Sequence, residues 1–184
     1  MNYKDYQNSR DAVWRLLVDL KIQSLPIKVS EICFKLGIKL KYSNESFEAD
    51  GYSFFLERVP YIVVKKTNNI ARLRFTTAHE LGHILLGHVG KYNLVNREPS
   101  LSDNTIEQAA NVFASRLLAP ACVLWGCNVT TAEQIQKLCD ISYQAACFRI
   151  DRMQELYRRN KFLTSRLEKV VFHRFKKFIK KNRF

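Results

Sequence analysis

Arg74-Phe75-Thr76-Thr77-Ala78-His79-Glu80-Leu81-Gly82-His83-Ile84-Leu85-Leu86-Gly87-His88 is the stretch on which the reading of the chain turns. Leu73, Thr77, Leu81, Ile84, Leu85 and His88 recur at helical spacing. Asn68 or Asn69 stands where an N-cap belongs, and Gly87 or Gly90 offers an end, so the spacing predicts a helix. On that helix His79 and His83 lie one turn apart on the same face, and both imidazoles reach toward one metal ion. Glu80 sits about a quarter-turn round. His88, five residues past His83 and rotated from it by about 500°, is expected to point away and has no metal role in this reading.

Two histidines make an incomplete site, because catalytic zinc usually takes three protein ligands and keeps a fourth position for water or substrate. The best third candidate comes later in the chain. Glu107-Gln108-Ala109-Ala110-Asn111 opens an apolar helical run through Phe113, Leu117 and Leu118 that Pro120 stops. Glu107 and Asn111 share a face one turn apart. Glu107 would complete a His-His-Glu set, while the Asn111 oxygen accepts from the outer nitrogen of a ligand histidine and fixes its tautomer. Two histidines around a glutamate placed as general base is the arrangement of a zinc peptidase.

At these two blocks the sequence resembles the ImmA/IrrE family of small zinc metallopeptidases. They are Arg74-Phe75-Thr76-Thr77-Ala78-His79-Glu80-Leu81-Gly82-His83 and Glu107-x-x-Ala110-Asn111-x-Phe113-Ala114-x-x-Leu117-Leu118-Ala119-Pro120. The resemblance covers roughly residues 10–155. It implies a zincin-like domain in which His79, His83 and Glu107 bind Zn2+, Glu80 activates water and Asn111 supports a histidine. It also implies a protein substrate, a helix-turn-helix transcriptional repressor whose cleavage derepresses genes of a mobile element or stress response. Ala119 stands where the family usually has Met before the proline, a difference expected to affect packing only.

A chain of 184 residues with 47% apolar content is long enough for a domain with a substantial core. No apolar run approaches the roughly 20 residues that cross a bilayer. The N-terminal Met1-Asn2-Tyr3-Lys4-Asp5-Tyr6 has no apolar core, so no secretory signal is expected and the location read from sequence is the cytoplasm. Cys33, Cys122, Cys127, Cys139 and Cys147 form no C-x-x-C pair and read as small buried hydrophobes, with Cys122 and Cys127 as the pair available for metal or redox chemistry.

Val13, Leu16, Leu17 and Leu20, with Trp14 beside them, predict an amphipathic first helix. Val29, Ile32, Cys33 and Leu36 predict a short second one ending at Gly37. Ile38–Tyr42, Gly51–Leu56 and Tyr61–Lys65 are β-rich segments between turn signals and predict a small antiparallel sheet. Tyr61-Ile62-Val63-Val64-Lys65 is either a substrate-pairing edge or an ordinary strand packed on the metal helix. The polar segment Lys91–Asp103 is expected to rim the cleft, with Tyr92 as either an oxyanion-stabilising phenol or a surface residue.

Thr130 to Met153 reads as a capped helix, a turn at Cys139-Asp140-Ile141 and a second helix from Ser142. That spacing fits a helix-turn-helix, and equally a helical hairpin packed on the core. From Arg158 onward eleven cations face Glu168 alone, and they account for most of the formal +13. Leu163, Leu167, Val170, Val171, Phe175, Phe178 and Ile179 recur among them, so the tail reads as a basic amphipathic helix. Its stripe suits the protein core, an anionic membrane surface or, with lysines outward, DNA phosphates.

The resulting architecture is α+β: a mainly helical zincin-like domain over 1–125 with its small antiparallel sheet, a helix-turn-helix-like hairpin over 126–157 and a basic C-terminal helix over 158–184. The chemistry expected is peptide-bond hydrolysis in which zinc lowers the pKa of water toward about 7 and Glu80 takes the proton and passes it to the leaving amine. The alternative is a non-proteolytic regulator that binds DNA or a repressor, as an antirepressor or a toxin–antitoxin component.

Overall fold

The computed structural model describes residues 3–45, 48–89 and 101–184, without the side chains of 3 and 101–104. The elements in chain order are α1 (Tyr3–Asp19), α2 (Val29–Lys35), β1 (Lys39–Ser43), β2 (Gly51–Leu56), β3 (Val59–Lys65) and α3 (Ile70–Leu85). There follow α4 (Leu101–Leu118), α5 (Ala121–Gly126), α6 (Ala132–Cys139), α7 (Tyr143–Arg158), α8 (Arg166–Arg174) and α9 (Lys176–Lys181). The fold is therefore α+β and mainly helical. It groups into two compact units, one of residues 1–12 and 28–114, the other of 13–27 and 115–184, so the divisions fall inside α1 and α4.

The first unit holds the sheet, whose order is β1-β3-β2. β2 and β3 form an antiparallel hairpin with Leu56 opposite Val59, and the two-residue loop Glu57-Arg58 has φ of 49° and 68°, the left-handed pair that matches strand twist. β1, however, runs parallel to β3. The sheet is mixed, where the sequence predicts an antiparallel one. The reason is that the chain carries β2 past the place of β3 and folds back into the centre. The signal was present in β3 itself: Ile62, Val63 and Val64 are buried in succession, the continuous apolar run of a strand covered on both faces. Tyr61–Lys65 is paired on both sides and is not an edge; among the described residues β1 and β2 are the edge strands.

α3 lies against this sheet. Asn69 caps it, its side chain accepting from the Arg72 backbone N–H at 3.0 Å, and Arg72 grips Asp50 just before β2 through two bonds of 2.8 and 2.6 Å. That pair is largely exposed and worth at most about 1 kcal/mol. Most of the holding comes from apolar burial: Ile62, Val64, Ala78, Leu81, Ala110 and Phe113 are almost fully inaccessible.

The second unit has its own core of Trp14, Leu17, Leu124, Ile135, Met153 and Phe175. Thr131 and Gln134 form a capping box at the start of α6, Asp140 ends that helix in the left-handed conformation and Ser142 caps α7. The helix–turn–helix spacing of Thr130 to Met153 is thus present. The basic tail is two helices where the sequence predicts one. Ser165 caps α8 afresh and Phe175, at φ −82° and ψ 2°, separates it from α9. Val171, Phe175 and Ile179 are buried, so the apolar stripe packs in this unit's core.

One helical stretch among the described residues, Thr105–Gly126, is long and apolar enough by composition to cross a membrane, which the sequence reading did not anticipate. It is two helices broken at Pro120, and most of it is buried. Ala119 is buried in it, a packing position. Cys33, Cys122, Cys127 and Cys139 are buried as expected, while Cys147 is only half-buried, and burial pushes the Cys33 thiol up to about 12 and that of Cys127 up to about 11. Such thiols are not poised for redox chemistry at neutral pH.

Candidate metal centre

The site is built where α3 and α4 approach in the first unit. Gly82 makes the approach possible, since a Cβ there would lie 3.0–3.2 Å from the Phe113 side chain of α4. Three side chains then converge. His79 Nε2 and His83 Nε2 are 3.0 Å apart, Glu107 Oε2 is 3.1 Å from His79 Nε2, and Glu107 Oε1 is 3.3 Å from His83 Nε2. Among the described residues this is the group of metal-capable side chains that comes together, and no cysteine joins it. Ligands of a tetrahedral zinc at ordinary bond lengths sit about 3.3 Å from one another. The donors therefore have the spacing of the ion they would hold.

The outer nitrogens support the same reading. His79 Nδ1 lies 2.9 Å from Asn111 Oδ1, an acceptor, so Nδ1 carries the proton and Nε2 presents a lone pair inward. His83 Nδ1 lies 3.2 Å from His88 Nδ1, and a proton on His83 Nδ1 frees its Nε2 in the same way. Two imidazole lone pairs and a carboxylate then face one another, a set of acceptors that requires a cation between them. Burial alone would lower the pKa of His79, but hydrogen bonding to Glu107 and the charges of Glu80 and Glu107 outweigh it and raise the value. Glu107 is held well below the usual carboxylate range by its hydrogen bonds with His79 and His83.

Glu80, one residue round α3 from His79, is buried, and that burial raises its pKa. The largest opposing influence is Ser53 on β2, whose hydroxyl donates to Glu80 Oε2 at 2.8 Å, followed by the charges of His83 and His79. A buried carboxylate fixed by one hydroxyl and retaining lone pairs is placed to accept a proton.

The structure brings together His79, His83, Glu107 and Asn111, with Glu80 held beside them. The sequence reading missed two supports. His88 does not point away, because α3 ends at Leu85 and Gly87, at φ 71°, turns the chain back. The Gly87 N–H bonds to Ile84 O at 3.1 Å and the His88 N–H to His83 O at 2.9 Å, the paired bonds of a Schellman ending. That ending returns His88 to His83; the glycine one residue before it was the available signal. Ser53 was legible only as an inward position of β2, where Gly51 and Ser53 are buried and Tyr52 is exposed. Tyr92 and positions 91–100 of the expected cleft rim lie outside the described residues.

No curated protein matches the chain. The sequence pattern of the IrrE N-terminal-like domain, Peptidase_M78, matches residues 33–151, which takes in both metal-site helices. A match over more than half of the sequence, on the residues that form this site, places the chain in the Peptidase_M78 family.

Proposed function

We propose that the protein is a zinc-dependent endopeptidase of the cytoplasm that cleaves a helix-turn-helix transcriptional repressor and so derepresses genes. The observation that carries the hydrolytic reading is the convergence of His79 Nε2, His83 Nε2 and Glu107 at tetrahedral spacing, with Glu80 buried alongside. The repressor as substrate follows from the resemblance to ImmA/IrrE proteins at these same motifs.

His79, His83 and Glu107 would hold the ion, with Asn111 and His88 orienting the two imidazoles. Zinc in such a site acidifies water and polarises the scissile carbonyl. Glu80 accepts the proton of the attacking water and returns it to the leaving amine, while Ser53 keeps the carboxylate aimed. β2, the edge strand that carries Ser53, offers its outer side to an extended substrate segment.

Zinc content by plasma mass spectrometry on wild type, His79→Ala and Glu107→Ala comes first. One zinc per wild-type chain, lost in both variants, supports the ligand set; no zinc after addition to chelator-free protein refutes it. Glu80→Gln then separates catalysis from binding. It should abolish cleavage of a repressor encoded beside the gene while leaving zinc and repressor binding intact. Full repressor inactivation by Glu80→Gln would instead identify a non-proteolytic antirepressor.

A further inference from the structure

The cations of the C-terminal segment are organised by the way its apolar residues are used. Phe175, at the start of α9, and Ile179 on it are buried while Lys176, Lys177, Lys180 and Lys181 are exposed. At about 100° per residue these four lysines span an arc opposite the buried one. On α8, Val171 and the carboxylate-bearing Glu168 are buried, and Arg166 and Lys169 face solvent. Glu168 is the single acidic residue between 166 and 183, against eight cations, and its carboxylate is turned inward to accept from the Thr164 N–H at 2.9 Å. The charged side chains of the outer face are therefore all positive.

This face is held in place. Phe172 and Phe162 pack on Trp125 with ring centroids 5.5 and 5.4 Å away, and the Phe184 N–H bonds to Cys127 O at 2.9 Å. It also lies beyond residues 33–151, the stretch that the family pattern matches.

We propose that α8 and α9 form a docking surface for the phosphate backbone of duplex DNA. A membrane-bound amphipathic helix needs its apolar face for the acyl boundary, and here that face is spent in the protein core. Outward, Val170 on α8 is the exposed apolar side chain among lysines and arginines without interspersed carboxylates, and that charge matches a polyanion of one charge per roughly 1.7 Å. Lysine ammoniums contact phosphates as point charges and read no sequence, so the binding is independent of base sequence. The surface does not depend on the peptidase activity. If that activity acts on a DNA-bound repressor, the same face concentrates the enzyme on its substrate's polyanion.

The test is fluorescence anisotropy of a random-sequence 20-base-pair duplex with the full chain, from 50 to 200 mM salt. Contacts to six phosphates give a log–log salt slope near −5 and roughly a 10³-fold loss of affinity across that range. The variant Lys176→Gln/Lys177→Gln/Lys180→Gln/Lys181→Gln should bind at least 10-fold more weakly with a slope shallower by up to about 3.6, at unchanged circular dichroism and zinc content. Arg166→Gln/Lys169→Gln, on the other helix, gives an independent reading should the quadruple variant misfold. No duplex binding at 50 mM salt overturns the proposal, as does unchanged affinity in the variants. Phosphatidylserine vesicles bound as tightly as duplex at matched phosphate would overturn the assignment to DNA.

Discussion

Gly51→Ala probes the contact between β2 and the metal helix. A Cβ at Gly51 would lie 2.7 Å from Thr76 Cγ2, 3.1 Å from Val63 O and 3.4 Å from Glu80 Cγ. The Val63 carbonyl belongs to the central strand and cannot retreat, and the Thr76 methyl is fixed by a β-branched rotamer on α3. Relief must come from α3 rising off the sheet by about 0.5 Å at the level of Thr76 and Glu80. Overpacking of this kind costs about 1–3 kcal/mol. Replacing a strand glycine returns about 0.5–1 kcal/mol of backbone entropy. The net destabilisation lies between about 0 and 2.5 kcal/mol, centred on about 1.2, which for a chain of this size lowers the thermal midpoint by on the order of 4 °C. Urea denaturation of the metal-free protein measures it without reference to any substrate. Thr76→Ser removes the clashing methyl, so in the double variant most of the loss should return as a coupling of about 1 kcal/mol. Simple additivity of the two substitutions, or a Gly51→Ala protein as stable as wild type, would falsify the packing argument.

His88→Ala leaves His83 Nδ1 without its partner and should weaken zinc binding about 10- to 100-fold in a chelator competition, with secondary structure unchanged; wild-type affinity would show that the Schellman ending serves only to stop the helix. The metal-free protein should be most stable in mildly acidic solution. Glu107, depressed in the fold, contributes stability that is present above its ordinary 4.5 and lost as pH falls through the lowered value. His79, raised in the fold, contributes stability that is present below its ordinary 6.5 and lost as pH rises through the raised value. Urea midpoints at pH 4, 5.5 and 8 locate the maximum, and Glu107→Gln should flatten the profile on both sides; a profile unaltered by that substitution refutes the pairing.

Two pairs within the candidate site were legible in the sequence because helical spacing alone fixes them. His79 and His83 at i and i+4 must share a face, as must Glu107 and Asn111, whatever the rest of the chain does. Gly37 as a helix end and Ser142 at the start of α7 follow from equally local backbone demands, as do the pairs Asn68 or Asn69 and Gly87 or Gly90, of which the structure uses Asn69 and Gly87. Strand order did not follow, because β1, β2 and β3 have similar length and composition and their pairing depends on which one the rest of the unit buries on both faces. The supports of the site were hidden for the same reason. Ser53 reaches Glu80 across 27 residues, and Glu107 reaches the histidines only where Gly82 lets Phe113 come close. His88 is the instructive case, since an ideal helix carries it away from His83 and a single left-handed residue carries it back. Periodicity decides which side chains share a face within one element; long-range packing, and the turns where periodicity stops, decide what those faces meet.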